Sequence, residues 1–322
     1  MNNNQLPDDT PTASCDPPPV KPSASAGSGT RNQYLQRRFL LATAGLVLCF
    51  AVPLWQLVGF AATSGLFSYI LLIPFISVYL AWTKRTTLPD SPPDFRAGTW
   101  IFLAAGLTLL AVHWLGFTAR FGLAPDDRLT VYALSFVLCF HAVCCWFWGK
   151  ATLRALAFPL AFLIFIVPIP STALPAIDVF LQKGSAQAAA GFFSLAGTAY
   201  FQNGLVFQLP NITLHIAPEC SGIHSTLVLF ITSLLAAQLL LRTAWKRILL
   251  VLFIIPLGIV RNGFRVFVIG ELCVHVGPRM IDSPIHHQGG PIFFVLSLIP
   301  LVGLLVILRK SENVRNKDKT QG

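Results

Sequence analysis

Residues Ala217–Arg247 read APECSGIHSTLVLFITSLLAAQLLLRTAWKR, which is a polar start, a long apolar run and a basic end. The apolar part, residues 220–241, has about the twenty residues that a helix needs to cross the hydrocarbon core of a bilayer. Because Lys and Arg collect on the cytoplasmic side of membrane proteins, the basic end predicts a span that runs from the outer face inwards. Cys220 then lies at the outer edge of the membrane.

The composition of the whole chain indicates the same environment. Of its 322 residues, 54% are hydrophobic and only 11% are charged, whereas about a quarter of the residues in a soluble protein are charged. The net charge is +10, but the basic residues lie in short runs at the ends of apolar segments, where they set the topology. We therefore expect an all-α integral membrane protein whose partner is the lipid bilayer and not a nucleic acid.

Apolar segments recur along the chain. Eight of them are predicted to span the membrane: 39–61, 66–82, 97–116, 130–148, 155–170, 220–241, 248–270 and 292–308. With eight spans, most of the 23 basic residues fall on one side, which identifies that side as cytoplasmic and places both termini there.

The regions around these spans differ in composition. Residues 1–30 are rich in Pro, Ser, Asn and Asp and are predicted to be a disordered cytoplasmic tail. Residues 31–148 form an N-terminal region of four spans, residues 149–310 form a second membrane region, and residues 311–322 are a basic cytoplasmic tail.

The longest outer segment, residues 171–219, is predicted to be structured. Apolar residues recur at roughly helical spacing, which predicts an amphipathic helix lying in the membrane interface; they are Leu174, Ile177, Leu181, Ala188, Phe192 and Leu195. Apolar and polar residues then alternate on both sides of Pro210-Asn211, which predicts a short β-hairpin directly before Cys220.

Three kinds of reactive side chain are predicted to meet at the outer face. Counting from the inner end of the seventh span near Arg247, Arg265 lies about 27 Å along a core of about 30 Å, and Arg261 lies one turn deeper. His286 and His287 lie in the last outer loop. A thiolate, an arginine that stabilises an oxyanion and a histidine that moves protons are the groups needed for acyl transfer through a thioester.

Other interpretations of these residues stay open. His224 lies four residues after Cys220, so the two could form a local dyad, and Glu219 is either a loop carboxylate or a direct participant. Arg261 and Arg265 could instead extend towards lipid headgroups. The seven cysteines contain no CxxC pair, so neither a metal site nor any other cofactor is expected.

A protein of another class would also fit the hydropathy. Eight spans with buried Arg261 and Arg265 are compatible with a transporter or assembly protein for an anionic or polysaccharide component of the cell envelope. Cys220 separates the two hypotheses, because a transporter should tolerate Cys220→Ala and a thiol enzyme should not.

Three short blocks, in this order, resemble the exosortase/archaeosortase family of membrane transpeptidases: Cys220-Ser221-Gly222, Asn262-Gly263-Phe264-Arg265, and His286-His287-Gln288-Gly289-Gly290. The resemblance covers about 150–308, so residues 149–310 are expected to be the catalytic region.

The resemblance implies a membrane thiol protease and transpeptidase. Its substrates would be exported proteins that end in a short motif such as Pro-Glu-Pro, a transmembrane span and a basic tail. Cys220 would be the nucleophile, Arg265 the oxyanion stabiliser and His286 the acid and base, with the adjacent His287 as an alternative. The enzyme would lie in the bacterial inner membrane with its active site on the periplasmic face.

Overall fold

The structure, a computed structural model, describes residues 26–89, 95–115, 125–210, 212–216, 221–277 and 290–321, most of which are helical. The N-terminal half contains α1 (Ala26–Cys49), α2 (Ala51–Thr63), α3 (Ile73–Thr83), α4 (Arg96–Trp114) and α5 (Pro125–Phe147). The C-terminal half contains α6 (Lys150–Ala155), α7 (Ala157–Phe162), α8 (Leu174–Ala196), α9 (Ile223–Leu240), α10 (Ala244–Leu252), α11 (Ile254–His275) and α12 (Gly290–Gln321). Short 3-10 turns lie at Ser68–Leu71, Arg85–Thr87 and Leu163–Ile166.

Among the described residues, 5 helical segments are long and apolar enough to cross a membrane: Arg96–Trp114, Asp127–Phe147, Ile223–Leu240, Ala244–His275 and Gly290–Asn313. Tyr34–Cys49 and Ala51–Thr63 would make a sixth if this pair, bent by 71°, is one span. The protein is therefore a multi-pass, mainly α-helical membrane protein.

Proline accounts for two of the breaks between helices. Proline has no N–H to donate, and its ring collides with the carbonyl four residues earlier. The bend between α1 and α2 falls at Phe50, three residues before Pro53, and the break between α10 and α11 falls at Phe253, three residues before Pro256. In both cases the helix is interrupted where the lost hydrogen bond would have been.

Two of the predicted spans correspond to shorter helical segments. Residues 66–82 correspond to Ser68–Thr83, and residues 155–170 correspond to Ala157–Ile166, which is about 15 Å long at 1.5 Å per residue. Neither length reaches the roughly 30 Å of a bilayer core. The count of eight spans therefore stays a prediction, while the helical membrane class is established.

The closest helix contact in the C-terminal half joins α8 to α11, and glycines make it possible. A Cβ placed on Gly263 would lie 2.5 Å from the Cβ of Ala188, and one placed on Gly184 would lie 2.9 Å from Ile259 Cδ1. Further along the two helices, a Cβ placed on Gly270 would lie 2.5 Å from the ring of Phe193. The contacts advance together along both chains, so α8 and α11 run side by side in the same direction.

A helix is present in the segment for which one was predicted, and its buried face differs in part from the predicted apolar face. The buried face of α8 is formed largely by small and polar residues: Leu181, Gln182, Ser185, Ala186, Ala189, Ala190 and Phe193. Leu195, a member of the predicted apolar face, is 86% exposed. The face that packs is the one that lets the backbones of α8 and α11 approach, and the interfacial position of this helix stays a prediction.

A small antiparallel sheet follows α8 and covers the last turns of α11. Its strands are β1 (Phe201–Asn203), β2 (Val206–Leu209) and β3 (Ile212–His215), in the order β1-β2-β3. Val206 pairs with His215 and Leu209 with Ile212. The inward side chains of Phe207 and Leu214 form a core with Phe193, so the sheet is attached to the α8–α11 pair.

Helix α9 returns antiparallel to α11 and completes the three-helix unit that holds the site. Gly222, just before α9, lies against Asn262, and four residues later Thr226 lies against Gly258. At the other end, the carboxylate of Glu312 on α12 accepts hydrogen bonds from the N–H groups of Arg242 and Thr243. The loop between α9 and α10 is thereby attached to α12.

Candidate active site

The turn that leads into α9 has a backbone shape that glycine adopts at little cost. Gly222 has φ of 72° and ψ of 15°, which is the left-handed region. A Cβ at this position would lie 3.0 Å from Arg261 Nη2 and 3.1 Å from Asn262 Cγ. The turn therefore fits closely against α11, and the Ser-Gly part of the first sequence block contacts the first residue of the second.

Arg261 holds this turn from the α11 side. Its Nη2 donates to the carbonyl oxygen of Gly222 at 3.2 Å and to Oγ1 of Thr226 at 3.3 Å. The side chain is 7% exposed, and its Nη1 is buried without a hydrogen-bond partner among the described residues. Arg261 thus touches the turn directly.

Asn262 joins the two helices that flank the turn. It is 2% exposed, and its Nδ2 donates to Oγ of the buried Ser185 on α8 at 3.1 Å. Since buried polar groups are costly unless they are hydrogen-bonded, this pair fixes the relative position of α8 and α11 at the level of the turn.

Asp178 on α8 holds the turn from the opposite side. Ser221 is 2% exposed, and its hydroxyl donates to Oδ1 of Asp178 at 2.7 Å. Oγ of Ser221 also accepts a hydrogen bond from the N–H of Ile223, in the first turn of α9, at 3.4 Å. The turn is therefore held by α8 through a side chain and by α11 through a backbone carbonyl.

The sequence of the chain matches a known family. Residues 55–303, more than three quarters of the chain, match the model of the transmembrane exosortase family (Exosortase_EpsH). The chain is a member of this family. Neither the curated proteins nor the solved structures gave a significant match to the chain.

Membership sets the broad function of this exosortase. The family indicates a membrane-embedded transpeptidase of the sorting type, with the chemistry of a cysteine peptidase, that acts on exported substrates bearing C-terminal sorting signals. The helices described above are consistent with that setting, because several are long and apolar enough to cross a membrane.

Of the other predicted site residues of the exosortase, two lie in the described part of the chain and four lie outside it. Arg265 is half-buried on α11, one turn beyond Arg261 and about 6 Å further along the helix axis. His224 is exposed in the first turn of α9. Four predicted residues lie outside the described part of the chain: Glu219, Cys220, His286 and His287.

The sequence analysis did not identify two polar residues of this exosortase site. Asp178 and Ser185 lie on α8, about 40 and 80 residues from the side chains that they contact. A carboxylate in an apolar segment of a membrane protein is uncommon and marks a functional position, so Asp178 carried a signal that was available before the structure. Ser185 carried none, because serine is common in such helices.

Within the described ranges, no group of three or more His, Cys, Asp or Glu side chains could hold a metal ion. The polar groups around the turn are hydroxyls, an amide, a guanidinium and one carboxylate.

Proposed function

We propose that this exosortase cleaves the C-terminal sorting signal of exported proteins through a thioester formed on Cys220. The observation that supports this best is the contact of Gly222 with Arg261 and Asn262. Cys220 precedes that turn by two residues, so its neighbours in sequence lie against the helix that carries the arginines. A thiol beside a helix N-terminus and a cationic group has a reactivity suited to a nucleophile.

The proposed reaction has two halves. The Cys220 thiolate attacks the carbonyl carbon of the scissile amide, and the guanidinium of Arg265 stabilises the oxyanion. His286, protonated by the thiol, returns that proton to the departing amine as the C–N bond breaks, which leaves a thioester. An acceptor amine or hydroxyl then loses its proton to His286 and attacks the thioester, and the thiol is restored.

In this proposal, Arg261 supports the catalytic role of Arg265. Arg261 fixes the turn through the Gly222 carbonyl, while Arg265 is the oxyanion donor. His287 is adjacent to His286 and is the alternative acid and base. We assign Glu219 to the loop and the exposed His224 to the rim of the pocket, not to the chemistry.

The substrates in this proposal are exported proteins that carry a short motif, a transmembrane span and a basic tail at the C-terminus. The enzyme lies in the bacterial inner membrane with eight spans, the active site on the periplasmic face and both termini in the cytoplasm. Residues 149–310 form the catalytic region, residues 31–148 the four-span N-terminal region, and residues 1–30 and 311–322 the cytoplasmic tails. The charge distribution supports this orientation.

Replacement of the thiol tests the proposal. We expect Cys220→Ala to abolish cleavage of a reporter with a C-terminal signal, and Cys220→Ser to be nearly inactive because a hydroxyl is far less ionised than a thiol. Cys144→Ala and Cys145→Ala are the controls, since both thiols are buried in α5 away from the turn. Cleavage at the normal rate by Cys220→Ala, at equal membrane abundance, would support the transporter or assembly protein instead.

A further inference from the structure

Asp178 is an acidic residue that the proposed reaction does not use. It lies on α8 between the exposed apolar side chains of Ile177 and Val179. A carboxylate in such a setting is costly unless a donor meets its charge. The donor is the hydroxyl of Ser221, at 2.7 Å from Oδ1, in the residue that directly follows Cys220.

The Ser221 hydroxyl is fixed by more than one contact. It donates to Asp178 and accepts from the N–H of Ile223 at 3.4 Å, and the side chain is 2% exposed. Rotation of this side chain would therefore break two hydrogen bonds and leave polar groups unpaired in a buried place. One residue later, Arg261 holds the carbonyl of Gly222 at 3.2 Å.

The two helices that hold the turn are themselves joined. Asn262 on α11 donates to Ser185 on α8 at 3.1 Å, at the level of the turn. The turn thus sits in a closed frame: α8 holds Ser221, α11 holds Gly222, and one hydrogen bond connects α8 to α11. Ser221 directly follows Cys220 in the sequence, so the frame holds the residue to which the proposed nucleophile is covalently joined.

We propose that Asp178 is a positioning residue, which fixes Ser221 and thereby aims the Cys220 thiol at the substrate carbonyl. The inference rests on the proposed function. It also gives Ser221 a role, since its hydroxyl is an anchor for the turn and not a second nucleophile. Misplacement of a reacting group by about 1 Å can cost about a hundredfold in rate, so loss of this anchor should slow catalysis without removing the thiol.

Two substitutions separate positioning from proton transfer. Asp178→Ala removes the acceptor, and we expect cleavage of the reporter to fall about tenfold to a hundredfold. Asp178→Asn keeps an oxygen that can accept from Ser221 but cannot take up a proton, and we expect it to recover most of the activity. If Asn is as inactive as Ala, Asp178 acts as a base and the positioning role is wrong; if Ala cleaves normally, Asp178 has no role.

A double-mutant cycle tests the partner. Ser221→Ala should lose about as much activity as Asp178→Ala, and the double variant should be no slower than either single variant, because all three lack the same contact. Losses that multiply would overturn the inference. Ser194→Ala is the matched control, since this hydroxyl also lies on α8 but is exposed and pairs with Tyr200; it should leave cleavage unchanged.

The reactivity of the thiol provides a second readout that does not depend on cleavage of the reporter. In a background in which Cys15 and the exposed Cys49 are replaced by alanine, Cys220 should be alkylated by iodoacetamide at a rate that changes several-fold in Asp178→Ala and recovers in Asp178→Asn. An unchanged rate in both would contradict the positioning role. If Cys220→Ala still cleaves the reporter, the proposed function fails. If Cys220→Ala is inactive but both Asp178 variants cleave at the native rate, the proposed function stands and this inference fails.

Discussion

Replacement of Gly222 by alanine tests the contact between the turn and α11, and Gly197 is a matched control. The two glycines have almost the same backbone, with φ of 72° and ψ of 15° at Gly222 and φ of 75° and ψ of 13° at Gly197. Alanine in this left-handed region costs about 1–2 kcal/mol, and this cost should be equal at both positions. Thermal unfolding in detergent should therefore show a loss of stability of at least this size for both variants.

The two positions differ in what the new methyl group meets. At Gly197 nothing lies within 4 Å of the added Cβ, whereas at Gly222 it would lie 3.0 Å from Arg261 Nη2 and 3.1 Å from Asn262 Oδ1. Ordinary contacts of a Cβ begin near 3.4 Å, so the turn or α11 has to move by a few tenths of an ångström. Since about 1 Å of misplacement costs about a hundredfold in rate, we expect Gly222→Ala to cleave about tenfold more slowly than Gly197→Ala.

The assay is cleavage of a reporter with a C-terminal sorting signal, with each rate divided by the amount of enzyme in the membrane. Gly197→Ala should cleave close to the native rate once its abundance is taken into account. Equal rates for the two variants would show that the approach of the turn to Arg261 and Asn262 has no part in catalysis.

Two further predictions concern the arginines and the topology. Arg265→Lys should lose about a hundredfold to a thousandfold in cleavage rate, as is typical of a lost oxyanion donor, whereas Arg261→Lys should lose less rate and more stability because it contacts the turn; the reverse order at matched abundance would make Arg261 the catalytic arginine. Single cysteines placed at 205 and 244 should react with a membrane-impermeant thiol reagent from the outer and inner sides respectively, and labelling of both from one side would rule out eight spans.

Much of the fold follows from hydropathy alone. The predicted spans 97–116, 130–148, 220–241 and 292–308 each correspond to a helix long enough to cross a membrane, because about twenty apolar residues in lipid must satisfy their backbone groups within a helix. Hydropathy does not register where a helix breaks. The interruptions at Phe50 and Phe253 depend on a proline three residues later, which a sliding average treats as one more uncharged residue.

The packing of α8 shows why the face of a helix is harder to predict than the helix itself. The sequence predicted a face of large apolar residues, but the face that is buried carries Gln182, Ser185 and Ala189. In lipid the large apolar side chains gain nothing by leaving the membrane, so contacts between helices select small residues that let the backbones approach. The predicted and the buried faces therefore overlap only in part: Leu181 belongs to both, while Leu195 is exposed.

The site was predictable to the extent that its residues share short blocks. The Ser221-Gly222 turn and Asn262 belong to blocks that resemble the family, and they meet in the structure. Asp178 and Ser185 belong to no block, and only the folding of α8 onto α11 brings them to the turn. Such long-range contacts cannot be inferred from spacing in a single sequence.

The contact of α8 with α11 also has a consequence for how the protein is made. Gln182 and Ser185 are buried, and Gly263, which packs against the backbone of Ser185, is synthesised nearly 80 residues after it. At a synthesis rate of about 5–20 residues per second, the buried face of α8 stays without α11 for roughly 4–16 s. During that interval, insertion of α8 into the bilayer is unfavourable because its polar side chains have no hydrogen-bond partners. We therefore expect α8 to stay at the insertion machinery or in the aqueous compartment until α11 has been synthesised. The contacts that hold the turn before α9 can form only after that point.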